Sequence, residues 1–373
     1  MKIYCEDTLL YGEAFFSSLG QCQTFSASTV TAEQIQDADV LVVRSTTEVN
    51  EQLIGQCQNL KFVGTATAGS NHFDKTYLQS RGIPMYNAAG CNAVAVVEYV
   101  LCAMLYLAKK RQFDLLEQRI GIVGVGNIGG RLNERLQAMG IRTALYDPPL
   151  QASGDKREFV NFDEIMKCDL ITLHVPLVKE GEHPTYHMFD AARLAQLGEK
   201  QCFINACRGE VVDNHALLDV KRQGAEFGLV IDVWENEPDI LFELVDYTDL
   251  ATAHIAGHTI EGKAKGTSMV YQALCQQFGI EPSLTLDEFL PAIDNADLSY
   301  FEAEFTVPDA LELVSKVYDI YQDNLDFRKR VKNADEFRLF RKQYGARREF
   351  QYFKVNAGNL CNSQAIYGLG FGS

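Results

Sequence analysis

Residues 119–139 read RIGIVGVGNIGGRLNERLQAM. The apolar run Ile120–Val123, patterned as a buried strand, passes into Gly124-x-Gly126-x-x-Gly129 and then into apolar residues at helical spacing. Gly124 permits the tight turn, Gly126 lets the backbone approach a pyrophosphate, and Gly129 allows close helix-to-strand packing. Asn127 and Ile128 open the helix whose first amides meet the phosphate charge. GxGxxG alone is a weak signal. Here the next strand ends in ALYDPP, which puts Asp147 where an acid accepts hydrogen bonds from the adenosine ribose and repels a 2′-phosphate, so NAD is favoured over NADP.

Further buried-strand runs follow at Thr143–Tyr146, Leu170–Val175, Cys202–Ala206, Phe227–Val233 and Leu250–His254, with helical stretches between them, which predicts a six-strand doubly wound sheet. Before residue 119, strand runs at KIYC, Val40–Ser45, Phe62–Gly69 and Ile83–Ala88 alternate with helical spacing, a second α/β unit with a parallel sheet. Val94–Leu107 is apolar at most positions, as a buried connector helix is. Ile260–Phe278 reads as a helix returning to the first unit. Three domains are therefore expected: 1–93, completed by the return helix 259–280; 94–258, carrying the dinucleotide loop; and a small α/β domain over 281–373 with a helix at Asp309–Asp323.

The composition narrows the function. Thirty-four Lys and Arg against fifty Asp and Glu give a net charge of −16, which argues against phosphate-driven binding to nucleic acid. Ten cysteines stand without a Cys-x-x-Cys pair, which reads as reduced thiols rather than a zinc site. Glu6 and Asp7 interrupt any apolar leader, and the most hydrophobic stretch is short for a membrane span and contains Glu98. A cytoplasmic chain with no membrane segment is expected, and no metal site: His183 and His187 have the i, i+4 spacing, but the intervening sequence is not that of a metalloprotease helix.

Reactive residue types gather after the later strands. INACRGEVVD sets Arg208 beyond a strand end, where an open α/β sheet binds its ligands and a guanidinium can grip a carboxylate. GLVIDVWENEP carries Asp232 and Glu237, and TAHIAGHT carries His254. A carboxylate beside an imidazole orients the ring and stabilises its protonated form, which makes an acid–base unit.

GIVGVGNIGGRL, HVPL, INACRGEVVD, VWENEP and HIAGHTIEGKA together resemble the D-isomer-specific 2-hydroxyacid dehydrogenases over nearly the whole chain. HPTYHMFD, VRSTT, TATAGSNHFD and the C-terminal extension point to a subfamily acting on a small phosphorylated 2-hydroxy acid. The resemblance implies a flavodoxin-like substrate domain, a Rossmann NAD-binding domain and a C-terminal dimerisation domain that makes a homodimer. It implies oxidation of 4-phospho-D-erythronate in pyridoxal 5′-phosphate synthesis, with Arg208, Glu237 and His254 catalytic. Asp147, Val175, Ala206, Cys207, Arg208, Asp232 and Gly257 would line the NAD site, and Ser45, Thr67 and His258 would touch substrate, His258 replacing the subfamily's more common Tyr. Arg44, beside Ser45, and Arg347, after a turn expected at Gly345, are further candidates to hold the anionic substrate. The alternatives on this scaffold are a dehydrogenase for phosphoglycerate or glycerate and an NAD-sensing corepressor.

Overall fold

The computed structural model describes residues 1–294, 296–299, 306–345, 347–356 and 363–372. It divides into two compact units, residues 1–92 with 259–292 and residues 93–258 with 293–373.

The first unit is a five-stranded parallel sheet of β1 (Lys2–Glu6), β2 (Gln21–Phe25), β3 (Val40–Val43), β4 (Phe62–Thr65) and β5 (Met85–Asn87). The strand order β2-β1-β3-β4-β5 is the flavodoxin-like one. β3 and β4 are buried on both faces, which explains the unbroken apolar run of β3 and the absence of apolar–polar alternation in β4. β2 is the strand the sequence did not announce: it lies at the sheet edge and its QCQTF side chains are mostly exposed or half-buried, so no apolar pattern marks it. The return helix occupies Ile260–Phe278, starts at the Thr259 cap and ends at Gly279. Val270, Tyr271, Leu274 and Cys275 on one side of it pack with Ile3, Phe15, Phe16, Val40 and Val42.

The second unit holds six parallel strands: β6 (Arg119–Val123), β7 (Arg142–Tyr146), β8 (Leu170–Leu173), β9 (Cys202–Asn205), β10 (Gly228–Ile231) and β11 (Leu250–Ala251). They are ordered β11-β10-β9-β8-β6-β7. An isolated parallel bridge joins Phe159 to Leu145 of β7. Counting that bridge as a vestigial strand gives the Rossmann sequence of pairings, and the order reverses between β6 and β8, where such sheets bind their ligands.

The buried helix Ala93–Arg111 runs in this unit, and the C-terminal segment shares its core. Leu313, Val314, Ile366 and Leu369 pack with side chains of that helix and with Leu132 and Leu136 of helix Asn127–Ala138. Residues 293–373 fall in the same compact unit as residues 93–258. Their apolar faces are buried against the dinucleotide-binding unit. They contain the two-stranded parallel sheet of β12 (Asp297–Ser299) and β13 (Lys354–Asn356). The helix expected over Asp309–Asp323 is two, Val307–Ser315 and Ile320–Arg330. The break falls where Asp319 turns its carboxylate back to cap the Tyr321 and Gln322 amides.

Candidate active site

The glycine loop is built for close approach. Gly124 has φ of 86°, and a Cβ there would lie 2.7 Å from the His174 carbonyl; one at Gly129 would lie 2.0 Å from the Gly124 oxygen. At Gly126 a Cβ would meet nothing within 4 Å. Gly126 and Asn127 are exposed and Ile128 is half-buried, at the start of a twelve-residue helix whose first amides have no earlier turn to bond. That open, donor-rich edge fits a pyrophosphate. Asp147 stands beside it, its carboxylate accepting from the Val125 and Leu150 amides at 2.8 and 3.1 Å. Each oxygen keeps acceptor capacity for a ribose hydroxyl. Below the loop His174 is buried, its Nε2 3.0 Å from the Thr172 hydroxyl, and burial pushes the imidazole down to about 3, so it is neutral.

Three neighbouring strands, β9, β10 and β11, deliver the expected catalytic residues at their carboxyl ends. After β9, Asn205 holds the turn by accepting from the Cys207 amide and donating to the Arg208 carbonyl. Ala206 and Cys207 are buried while Arg208 is half-buried, its Nη1 2.6 Å from the Cys207 carbonyl. Gly209 is obligatory, because a Cβ would overlap the Trp234 backbone at 1.9 Å.

Beyond β10, Glu237 accepts from the Trp234 amide through Oε1 at 2.8 Å and meets His254 Nδ1 through Oε2 at 2.7 Å. Burial alone would raise the Glu237 carboxyl; the His254 ring, the Trp234 amide and Arg341 outweigh it and hold the group below its ordinary value. The imidazole Nε2 is the nitrogen not used by Glu237.

His254 has φ of 56°, a left-handed backbone that costs a non-glycine residue about 1–3 kcal/mol unless its surroundings impose it. Asp232 imposes it. Its carbonyl accepts the His254 amide at 2.7 Å, and its fully buried carboxylate takes the Ile255 amide, the Ala256 amide and the Thr252 hydroxyl at 2.8, 3.0 and 2.7 Å. Tyr99 hydrogen-bonds to Thr252 in turn, and the Trp234 indole donates to the Thr252 carbonyl. Asp232 is therefore largely occupied in folding the loop that presents His254, which the motif alone did not reveal. Val175 and Gly257 are half-buried, and so is His258, whose ring centroid lies 6.0 Å from that of Tyr344.

Arg347 corrects an expectation. Expected to hold the anionic substrate, it is only 7% exposed, its Nη2 donating to the Ala95 and Ala256 carbonyls at 3.0 and 2.6 Å. The neighbouring basic residues gave no sign that one of them points inward.

In the first unit Ser45 is exposed on the turn after β3, and Arg44 is half-buried with Nη1 3.3 Å from the Thr8 carbonyl. The turn is organised by Glu6, a buried carboxylate accepting from the Arg44 amide at 2.8 Å and from the Thr46 and Thr47 hydroxyls at 2.7 Å, with Thr8 as a further donor. Thr67 hydrogen-bonds to Thr65 at 2.8 Å, and Thr65 to buried His72 at 3.1 Å. This role of Glu6 has no signal in the sequence, because a single acid near a chain start carries no pattern. Among the described residues, one group could hold a metal ion, His187 with Asp213 and Glu235. His187 Nε2 lies 2.6 Å from Glu235 and Nδ1 3.6 Å from Asp213.

The chain is 53% identical to the erythronate-4-phosphate dehydrogenase of Pseudoalteromonas atlantica, over 100% of this chain and 99% of that protein. It is 48% identical to the Shewanella loihica protein of the same name, over 94% and 93%. This chain belongs to the erythronate-4-phosphate dehydrogenase family. Residues 106–256 match the NAD binding domain of D-isomer specific 2-hydroxyacid dehydrogenases, and residues 289–370 match a domain of unknown function. As a member of the erythronate-4-phosphate dehydrogenase family with that NAD-binding domain, the chain is an NAD-dependent dehydrogenase. Its fold is also that of a Staphylococcus aureus NAD-dependent formate dehydrogenase solved with NAD, with TM-score 0.60 and 23% identity over 77% of this chain and 98% of the other.

Proposed function

We propose that this protein oxidises 4-phospho-D-erythronate at C2 to the corresponding 2-oxo acid, a step in pyridoxal 5′-phosphate synthesis. The observation that carries the reading is the His254–Glu237 pair, closed at 2.7 Å beyond β11, in a chain aligned from end to end with relatives of that name. His254 Nε2 takes the C2 hydroxyl proton while Glu237 fixes the ring through Nδ1 and stabilises the imidazolium that forms. Arg208 presents its planar fork to the C1 carboxylate. Bound NAD supplies the acceptor for the C2 hydride. The Gly124–Gly129 loop, Asp147, Val175, the Ala206–Arg208 turn and Gly257 would hold it, and Asp232 would contribute where its loop meets the nicotinamide. Ser45, Thr67, Arg44 and His258 are the substrate contacts in this reading.

The protein also assembles, in this reading, as a cytoplasmic homodimer through its C-terminal segment. Tyr321, Leu325 and Leu339 there are 44%, 41% and 50% exposed, apolar side chains that such an interface would cover. No helix among the described residues is long and apolar enough to cross a membrane.

Purified protein with NAD should be offered 4-phosphoerythronate, 3-phosphoglycerate, glycerate and lactate. The phosphorylated C4 acid is expected to give the highest kcat/KM. Equal or better use of 3-phosphoglycerate would assign the enzyme to a neighbouring activity.

A further inference from the structure

The loop that presents His254 is held from two sides. Asp232 takes its amide hydrogens at Ile255 and Ala256. On the carbonyl side the Ala256 oxygen, two residues beyond the histidine, accepts from Arg347 at 2.6 Å. The same guanidinium nitrogen donates to the Ala95 carbonyl, in the first turn of helix Ala93–Arg111. The cation lies over the Tyr318 ring, 4.1 Å from its centroid, and is 7% exposed. Tyr344, three residues upstream, donates to Asp323 at 2.6 Å. Arg347 thus links a C-terminal scaffold, a long buried helix and the acid–base loop, all within one compact unit.

A histidine at φ 56° is kept there by its neighbours or not at all. Losing the Arg347 bond leaves a buried carbonyl unpaired and releases the restraint on the carbonyl side of the loop. We propose that Arg347 is a positioning residue for His254, so that the C-terminal segment completes the acid–base site from behind rather than by touching substrate. The kinetic part of this proposal rests on the function given above; the structural part does not.

The test uses the full-length, NAD-loaded enzyme carrying Arg347→Met or Arg347→Lys. Amide hydrogen exchange over residues 252–258 is read first, because it needs no substrate. Arg347→Met should speed exchange at Ile255 and Ala256 at least tenfold, while NAD affinity stays within about threefold.

Steady-state kinetics follow, with the best substrate of the unaltered enzyme and with its unphosphorylated analogue. Arg347→Met should lower kcat about 10- to 100-fold for both acids with KM nearly constant, and should increase the solvent deuterium isotope effect as proton transfer becomes limiting. Arg347→Lys, which can still donate to one carbonyl, should recover part of the loss. A selective rise in KM for the phosphorylated acid with kcat unchanged would overturn the proposal in favour of a phosphate contact. A lower kcat with an unchanged isotope effect and unchanged exchange would also overturn it, since that is what a smaller folded fraction gives. If the unaltered protein turns over none of the acids, the functional reading fails by itself, and the exchange experiment still decides whether Arg347 holds the loop.

Discussion

In the proposed reaction His254 and Glu237 act as a pair, and their variants should fail differently. His254→Ala removes the proton acceptor and should cost about 10²–10⁴-fold in kcat while NAD binding, measured by fluorescence titration, persists. Glu237→Gln keeps the shape but not the charge, so the acidic limb of the pH–rate profile for alcohol oxidation should move to lower pH. A neutral residue at Asp147 should narrow the preference for NAD over NADP, read as the ratio of kcat/KM values. It should also cost some stability, because the Val125 and Leu150 amides lose their acceptor. These residues were legible because a parallel sheet brings motifs far apart in sequence to adjacent strand ends. Arg347 and Glu6 were not. Their roles depend on side chains turned inward to backbone groups distant in sequence, and neither sits in a recurring pattern.

Elements report the balance between local pattern and packing. The glycine-loop strand and helix, the long buried helix and the return helix follow their periodicity, since each buries a face whose spacing the sequence displays. Edge strand β2 buries too little to show a pattern, and the break near Asp319 depends on one capping carboxylate. Within the long helix, Glu98 is fully buried, its Oε1 accepting from the Phe350 amide at 2.8 Å. Burial, with Glu349 nearby, pushes its carboxyl up to about 8 against the opposing pull of Arg135 and Arg347. The folded chain therefore keeps a proton that the unfolded chain releases in the ordinary carboxyl range. The associated stability is complete below that range and is lost as pH rises through about 8. Urea unfolding across pH 5 to 9 should show this decline, and Glu98→Gln should flatten it. Leu313, 1% exposed in the shared core, should cost about 2–5 kcal/mol when changed to Ala, by the same measurement.

At the scale of the whole molecule, the C-terminal segment is part of the dinucleotide-binding unit. Removing it would strip apolar cover from helices Ala93–Arg111 and Asn127–Ala138, so truncation should yield aggregates rather than clean monomers. The proposed homodimer is better tested by placing charge on exposed apolar side chains of the C-terminal segment. Leu325→Glu with Leu339→Glu should give monomers by light scattering with the fold intact by circular dichroism. The central claim, oxidation at C2 with His254 as proton acceptor, is tested most directly with 4-phosphoerythronate deuterated at C2. The unaltered enzyme should transfer the deuterium to the reduced nicotinamide while the 2-oxo acid accumulates, and His254→Ala should slow that transfer by at least two orders of magnitude. Unlabelled NADH, or a His254→Ala variant as fast as the parent, would contradict it.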